Sequence, residues 1–261
     1  MKIRIATIHH KTDMWLAPQW NHCVCYILAD QYLIDESANI ELWLHANFKL
    51  PPAFKNQFTR VVRRQRRSHG AKIDVLSRML LAVSEPMDII GFMDGDAFPV
   101  APVLSLLQLA HKYGLVAIRR DECDESFPHV AFLLARADVW RRFWTPNLWR
   151  RQSIVERQTR RLARIAPDWV ALTRVAGTRH HPVFWSGYGV TPNKPLIYHH
   201  GAGFRQPRLY TRTWGRSEEG YRRLIARNNK LSRVAYDAAS SGELPWLAVD
   251  RQDAESLESF V

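Results

Sequence analysis

The chain has 261 residues, 46% hydrophobic and 24% charged, which is long enough to bury a full core and has the balance of an ordinary globular protein. Its net charge of +12 comes mostly from Arg, with only eight Lys, so a polyanionic partner is open but fold is not decided by it. The opening MKIRIATIHH lacks the apolar block of a signal peptide, and no run of about 18 apolar residues suggests a membrane span. Cys23, Cys25 and Cys123 make neither a disulfide framework nor a usual zinc or redox spacing, so a reducing, cytoplasmic home is expected.

In chain order, "KIRIATI" reads as a first strand. "TDMWLAPQWNHCVCYIL" sets Leu16, Trp20, Cys23 or Val24, and Ile27 at helical spacing, with Thr12 or Asp13 as the cap. "IELWLHANF" is a second strand and "FTRVV" a short third. "AKIDVLSRMLLAV" carries Ile73, Leu76, Leu80 and Val83 on one helical face. "DIIGFM" is apolar throughout, as in a strand covered on both sides. "VLSLLQLAHKYG" is a helix closed by Gly114, followed by the strands "LVAIRR" and "HVAFLLA". Beyond residue 137 the pattern changes to Trp- and Arg-rich helices, with a late strand in "PLIYHHGAGFRQP" and a terminal helix in "EEGYRRLIARNNKLSRVAYDAA". The alternation of strand and helix over residues 1–120 implies an α/β fold with a mainly parallel sheet covered by helices.

The most informative stretch is "DIIGFMDGDAFPV", Asp88 to Val100, where an apolar strand ends in Asp94 and Asp96. In a parallel sheet, ligands sit beyond the carboxyl ends of the strands. Residues i and i+2 leave a strand on one face, roughly 6.5 Å apart. Two carboxylates so close repel unless a cation lies near, and hard oxygens suit Mg²⁺ or Mn²⁺ shared with a substrate phosphate. Gly95 allows a close backbone approach to that phosphate. A plain acidic turn is the competing reading.

This stretch resembles the D-x-D motif of glycosyltransferases with the GT-A fold, where it holds a divalent metal against the diphosphate of a nucleotide-sugar. "SHGAKIDVLSRMLLAVSEP" is similar to the Gly-containing helix before that strand, "LVAIRRDE" and "FPHVAFLLAR" to the acceptor-side segment, and "IYHHGAGFRQP" to the late His-Gly segment. The likeness spans most of residues 1–210. It implies a Rossmann-type mixed sheet flanked by helices, with residues 1–136 as the nucleotide-sugar core and 137–261 as the helical, acceptor-side part of the same domain. It also implies that a late His completes the metal site. Of His199 and His200, His200 is preferred, because Gly201 and Gly203 free its backbone, and imidazole favours Mn²⁺ over Mg²⁺. Arg205 would clamp the β-phosphate of the donor, a UDP-sugar by preference.

Around this centre, Thr7, His9 and His10 follow the first strand and are placed to meet ribose or base. His69 and Gly70 open a helix whose N–H groups favour anions, and Asp74 within it contacts the nucleoside or pairs with an Arg. Asp121 and Glu122 are candidates for the base that takes the acceptor proton in an inverting reaction, held ionised by Arg119 and Arg120. His129 is a further candidate for the acceptor pocket, with Arg119 and Arg120 beside it.

Arg clusters at 60–67, 141–164 and 205–233 are unexplained by a glycosyltransferase with a neutral acceptor. A polyanionic acceptor absorbs them: hydroxymethylated bases in duplex DNA, as in viral DNA-modifying transferases, or lipopolysaccharide core or teichoic chains. Trp140, Trp144, Trp149, Trp169 and Trp185 would then stack on bases or sugars, or else fill the core. The alternatives are a cell-envelope polysaccharide transferase, a nucleotidyltransferase, which "TIHHKTDMW" disfavours for want of a glycine, and a non-enzymatic nucleic-acid binder.

Overall fold

The structure is a computed structural model and describes residues 1–10, 20, 24, 39–63, 69–122, 125–145, 155–177, 185–192, 194–200 and 219. The expected helix over "TDMWLAPQWNHCVCYIL" is therefore described only at Trp20 and Val24, and the terminal helix only at Glu219. The three cysteines lie outside the described residues.

Among the described residues, ten strands form one sheet: β1 (Lys2–His9), β2 (Asn39–Ala46), β3 (Arg60–Val62), β4 (Ile89–Asp94), β5 (Ala97–Pro99), β6 (Leu115–Glu122), β7 (Glu125–Arg136), β8 (Val170–Gly177), β9 (Trp185–Gly189) and β10 (Ile197–His200). The helices are α1 (Pro52–Lys55), α2 (His69–Leu81), α3 (Leu104–Tyr113), α4 (Ala137–Phe143) and α5 (Val155–Ile165). The strand order is β3-β2-β1-β4-β7-β6-β8-β9-β10-β5. The fold is mixed α/β, a large central sheet flanked by helices, as the alternation and composition of the chain imply.

The first four strands in that order are parallel. Parallel pairing does not extend across the whole sheet: β7 is antiparallel to both β4 and β6, β8 is parallel to β6, and each neighbouring pair from β8 through β9 and β10 to β5 is antiparallel. The reason is the connection between β6 and β7, too short for a crossover, which reverses the chain. Residues beyond 137 are also not only helical, since β8, β9 and β10 continue the sheet.

Alternation along β1 builds two cores. Ile3 and Ile5 face one side with Leu42, Leu44, Trp20, Phe54 and the α3 residues Leu106 and Leu107. Ala6 and Ile8 face the other with Ile73, Leu76 and Leu80 of α2, Trp140 and Phe143 of α4, and Leu162 of α5. Val83, expected on the buried face, lies past the end of α2 and is 47% exposed. Gly114 closes α3 in the left-handed region at φ 82°, as its position predicts.

The amino edge of the sheet is tied by a buried ion pair. Arg4 Nη1 lies 2.9 Å from Asp88 Oδ2, and Arg4 Nε lies 3.3 Å from Glu41 Oε1. Asp88 also accepts the backbone N–H of Lys2 and of Glu85. Charge is thus settled at that end, and the carboxyl edge is left for the site.

Candidate functional site

β4 pairs with β1 so that Asp94 lies beside Ile8, at the carboxyl edge of the parallel strands. The chain turns there at once, because Gly95 N–H donates to the Ile8 carbonyl at 3.0 Å. A side chain at 95 would collide with this stitch: its Cβ would stand 2.9 Å from Ile8 O and 2.7 Å from His9 Nδ1. Asp96 follows, and β5 then pairs with β10, setting Ala97 opposite His199. The sheet has curled so that its last strand returns to the tip of its fourth.

That curl gathers Asp94, Asp96 and His199, whose ligand atoms all lie within 4.8 Å of one another. Asp96 Oδ1 and His199 Nε2 are 3.8 Å apart, and Asp96 is buried. Ligands about 2.1 Å from one ion stand roughly 3 to 4.3 Å from each other, so small side-chain rotations would close these three on a divalent cation. Two carboxylates and an imidazole suit Mn²⁺ in particular. The fit is between residue types and geometry; the ion's identity is a separate matter.

Bases surround the carboxylates. His69 Nε2, in the first turn of α2, is 3.3 Å from Asp94 Oδ1. Burial disfavours a charge on Asp94, but the charge and hydrogen bond of His69, then the charges of His199 and His129, prevail and hold its carboxyl below the usual range. Lys72 Nζ is 3.3 Å from His10 Nδ1, and Lys72 is 3% exposed. Burial first, then the neighbouring Lys72 and His69 charges, push His10 down to about 4, against the pull of Asp94. His10 is therefore a neutral acceptor for the Lys72 ammonium. Lys72 is the residue that sequence reasoning missed. Its signal was its spacing, three residues after His69 on the same face of a helix.

His129 arrives by an irregularity. The register of β6 and β7 jumps from Ala117 opposite Leu133 to Ile118 opposite His129, so residues 130–132 bulge from β7. The Ala131 N–H donates to His129 Nδ1 at 3.2 Å, and the ring stands 6.0 Å from that of His199. Nδ1 thus acts as an acceptor, which leaves Nε2 as the ring's N–H.

Other expected residues lie elsewhere. Thr7 is buried between Leu44 and Met93 in the sheet. His9 has 0% exposure, with Trp20 and Phe54 each 5.1 Å from its ring and neither nitrogen hydrogen-bonded. Burial, helped by His10, drives its pKa down to about 3. Neither Thr7 nor His9 offers surface to a nucleoside; both support the strand end from inside. Asp74 is buried and accepts a hydrogen bond from Trp144 Nε1 at 3.0 Å, on the core side of α2, and is not brought to the carboxylates. Gly70 is buried in the first turn of α2, next to His69. Trp140, Trp144 and Trp169 belong to or pack on the second core, which explains three of the tryptophans without a ligand.

The backbone of β6 and β7 places Asp121 opposite Ser126 and Glu122 opposite Glu125. At about 3.4 Å per residue, Asp121 lies roughly 10 Å and Glu122 roughly 14 Å along the hairpin beyond the level of His129. Their side chains, like that of His200, lie outside the described residues, as do Arg205, Trp149 and the Trp185 side chain. Arg119 is exposed and Arg120 half-buried on the same hairpin. His200 was preferred from sequence; among the described side chains it is His199 that joins the carboxylates.

No helix among the described residues is long and apolar enough to cross a membrane. No protein-family model matches the chain, and no curated protein does. Among solved structures, the glycosyltransferase GlyE of Streptococcus pneumoniae is similar at 11% identity and TM-score 0.42, over 66% of this chain and 45% of that one. The chain thus spans less than half the length of that structure. The galactosyltransferase LgtC, solved with donor and acceptor sugar analogues, is similar at 12% identity and TM-score 0.43, over 87% and 95%. A Bacillus anthracis protein assigned as a glucose-1-phosphate thymidylyltransferase is similar at 9% identity and TM-score 0.46, over 72% and 90%. At these identities, and with TM-scores under 0.5, the likenesses settle neither family nor activity.

Proposed function

We propose that the protein is a metal-dependent glycosyltransferase that moves a sugar from a nucleotide-sugar, a UDP-sugar by preference, to a hydroxyl acceptor. The observation that carries this reading is the convergence of Asp94, Asp96 and His199 at the carboxyl edge of the parallel strands. A divalent cation bound there would supply Lewis-acid stabilisation of the departing diphosphate.

The chain's own groups have defined parts. Asp94, Asp96 and His199 would hold the cation, with His69 orienting Asp94 through the 3.3 Å contact. Lys72, fixed by His10, adds a positive charge on the donor side, and Arg205 clamps the β-phosphate. In the transfer, the bond from the anomeric carbon to the diphosphate oxygen breaks, and the diphosphate leaves with the electron pair. The acceptor oxygen bonds to that carbon and its proton passes to a carboxylate, Asp121 or Glu122, if configuration inverts. His129 lines the acceptor side with Arg119 and Arg120. Residues 1–136 carry the donor and 137–261 complete the acceptor side.

Calorimetry with UDP, with and without Mn²⁺, tests this. UDP should bind more tightly with the ion, and Asp94→Asn or Asp96→Asn should remove that gain. Equal UDP affinity in both conditions would sink the metal bridge. Mass spectrometry of hydroxymethylcytosine duplex DNA and of cell-envelope saccharides, each incubated with a panel of nucleotide-sugars, identifies the acceptor.

A further inference from the structure

A second concavity lies on the same edge of the sheet, where β2 ends and α1 begins. It has a volume of about 620 Å³ and is lined by Asn47, Phe48, Lys49, Lys55, Asn56 and Arg63, among others. None of the described residues that line it is acidic. Lys49, Lys55 and Arg63 are exposed, and among the described residues none of the three side chains has a hydrogen-bonding or ion-pair partner. Three cations therefore line one hollow with no counter-charge among the described residues.

Its place in the fold is fixed by register. Ala46, in its wall, ends β2 opposite His9 of β1, and Ile8 lies opposite Asp94. The hollow is thus two strands from the carboxylates, about 10 Å across the sheet. His9 and His10 stand between them at the end of β1. Both are pushed well below neutral pKa, so they carry no charge that would merge the two regions.

We propose that this cavity is an anion site that takes a phosphate group without help from a metal, separate from the Asp94–Asp96–His199 cluster. Arg63 presents a planar fork suited to two phosphate oxygens, and Lys49 and Lys55 in the same lining supply point charges. The Asn47 and Asn56 amides sit in the lining as further polar groups, and half-buried Phe48 forms an apolar side wall. A cleft walled by one sign of charge focuses its field and concentrates anions. The site stands independently of the transfer reaction. It also gives Arg63, the second arginine of "RVVRRQRR", a specific task.

The test is binding of inorganic pyrophosphate to the full chain in EDTA at fixed ionic strength. The pocket variant is Lys49→Gln, Lys55→Gln, Arg63→Gln. A charge-matched control replaces the exposed Arg142, Arg161 and Arg164 with Gln. The pocket variant should lose affinity by on the order of tenfold or more, since charge-assisted hydrogen bonds are removed, while the control changes by less than about twofold. Thermal unfolding confirms that both variants fold. Equal losses in the two triples would show a general charge effect and overturn the proposal. So would a loss on Lys72→Gln with the pocket variant unchanged, which would place the anion beside Asp94. Thymidine oligonucleotides with and without a 5′-phosphate distinguish the source: dependence on the terminal group marks a phosphomonoester ligand, and independence marks a phosphodiester chain. Oligonucleotide binding that the pocket variant leaves untouched overturns the phosphodiester form.

Discussion

Gly95→Ala is the most searching perturbation of the candidate site, because it changes no charge and no ligand. The new methyl would stand 2.7 Å from His9 Nδ1, 2.9 Å from His9 Cγ and 2.9 Å from Ile8 O. Ordinary carbon contacts begin near 3.5 Å, so the shortfall is roughly 0.6 to 0.8 Å. Neither neighbour yields easily. The Ile8 carbonyl holds the Gly95 N–H, and His9 is wedged against Trp20 and Phe54 at 0% exposure. The turn itself must therefore move, at a cost of about 2 kcal/mol for overpacking. For a chain of this size that is roughly 4 to 8 °C in Tm. A turn displaced by several tenths of an ångström carries Asp94 and Asp96 with it, so Mn²⁺ affinity should fall about 10- to 100-fold. Differential scanning calorimetry and Mn²⁺ titration measure the two effects. His9→Ala should relieve part of the clash, so the cost of Gly95→Ala should shrink in that background. An unchanged Tm and metal affinity, or a cost indifferent to His9, would refute the reasoning.

Asp88 should set the acid limit of stability. Burial opposes its charge, but the Lys2 N–H, Arg4 and the Glu85 N–H together hold its carboxyl below the usual carboxylate range. A carboxyl with a lowered folded pKa contributes stability that is whole above the unfolded value and is lost as pH falls through the folded one. Unfolding midpoints should therefore drop steeply below about pH 4, and Asp88→Asn should flatten that limb; at pH 7, Asp88→Ala should cost about 3 kcal/mol, as for a broken buried pair. Lys72→Gln should weaken UDP binding in the presence of Mn²⁺ by on the order of tenfold, while Mn²⁺ binding to the protein alone is kept, both by titration calorimetry.

The carboxylate pair was legible because its signal is local: an apolar run that stops at Asp94 and a glycine that turns the chain. The closing of α3 at Gly114 was legible for the same reason. Three-residue β5 was not, since "AFP" is too short to show a period of two. β8 and β9 were hidden by polar and charged residues within "VALTRVAG" and by glycines within "WSGYG". The role of His9 was unreadable because its neighbours Trp20 and Phe54 come from distant segments. His129 reaches the cluster only through the bulge at 130–132, which no spacing in the sequence announces. The choice between His199 and His200 rested on backbone freedom, whereas the pairing of β10 with β5 decides which residue faces Ala97.

The electrostatics of the cluster give its own reason for a cation. Asp94 is held ionised, and Asp96 is buried beside it, so two carboxyl groups stand close together in a partly dry place. Of the bases around them, His10 is neutral at pH 7, because its pKa lies at about 4. His9, behind the turn, is neutral with a pKa at about 3. His129 accepts the Ala131 N–H at Nδ1, so that nitrogen is turned away from the carboxylates. Among the described residues at this end of the sheet, Lys72 is the ammonium that approaches the cluster, through His10. His69 meets Asp94 at 3.3 Å and His199 meets Asp96 at 3.8 Å, so the carboxyl pair already draws basic groups toward it. An acidic turn whose only purpose was to end a strand would point its carboxylates to water, where the repulsion is screened. Here the fold spends a curled sheet, a glycine that admits no side chain and a buried histidine on bringing Asp96 inward to meet His199. A divalent cation joined by a substrate diphosphate is the partner that balances such an arrangement, because the ion offsets the carboxylates and still attracts the phosphates.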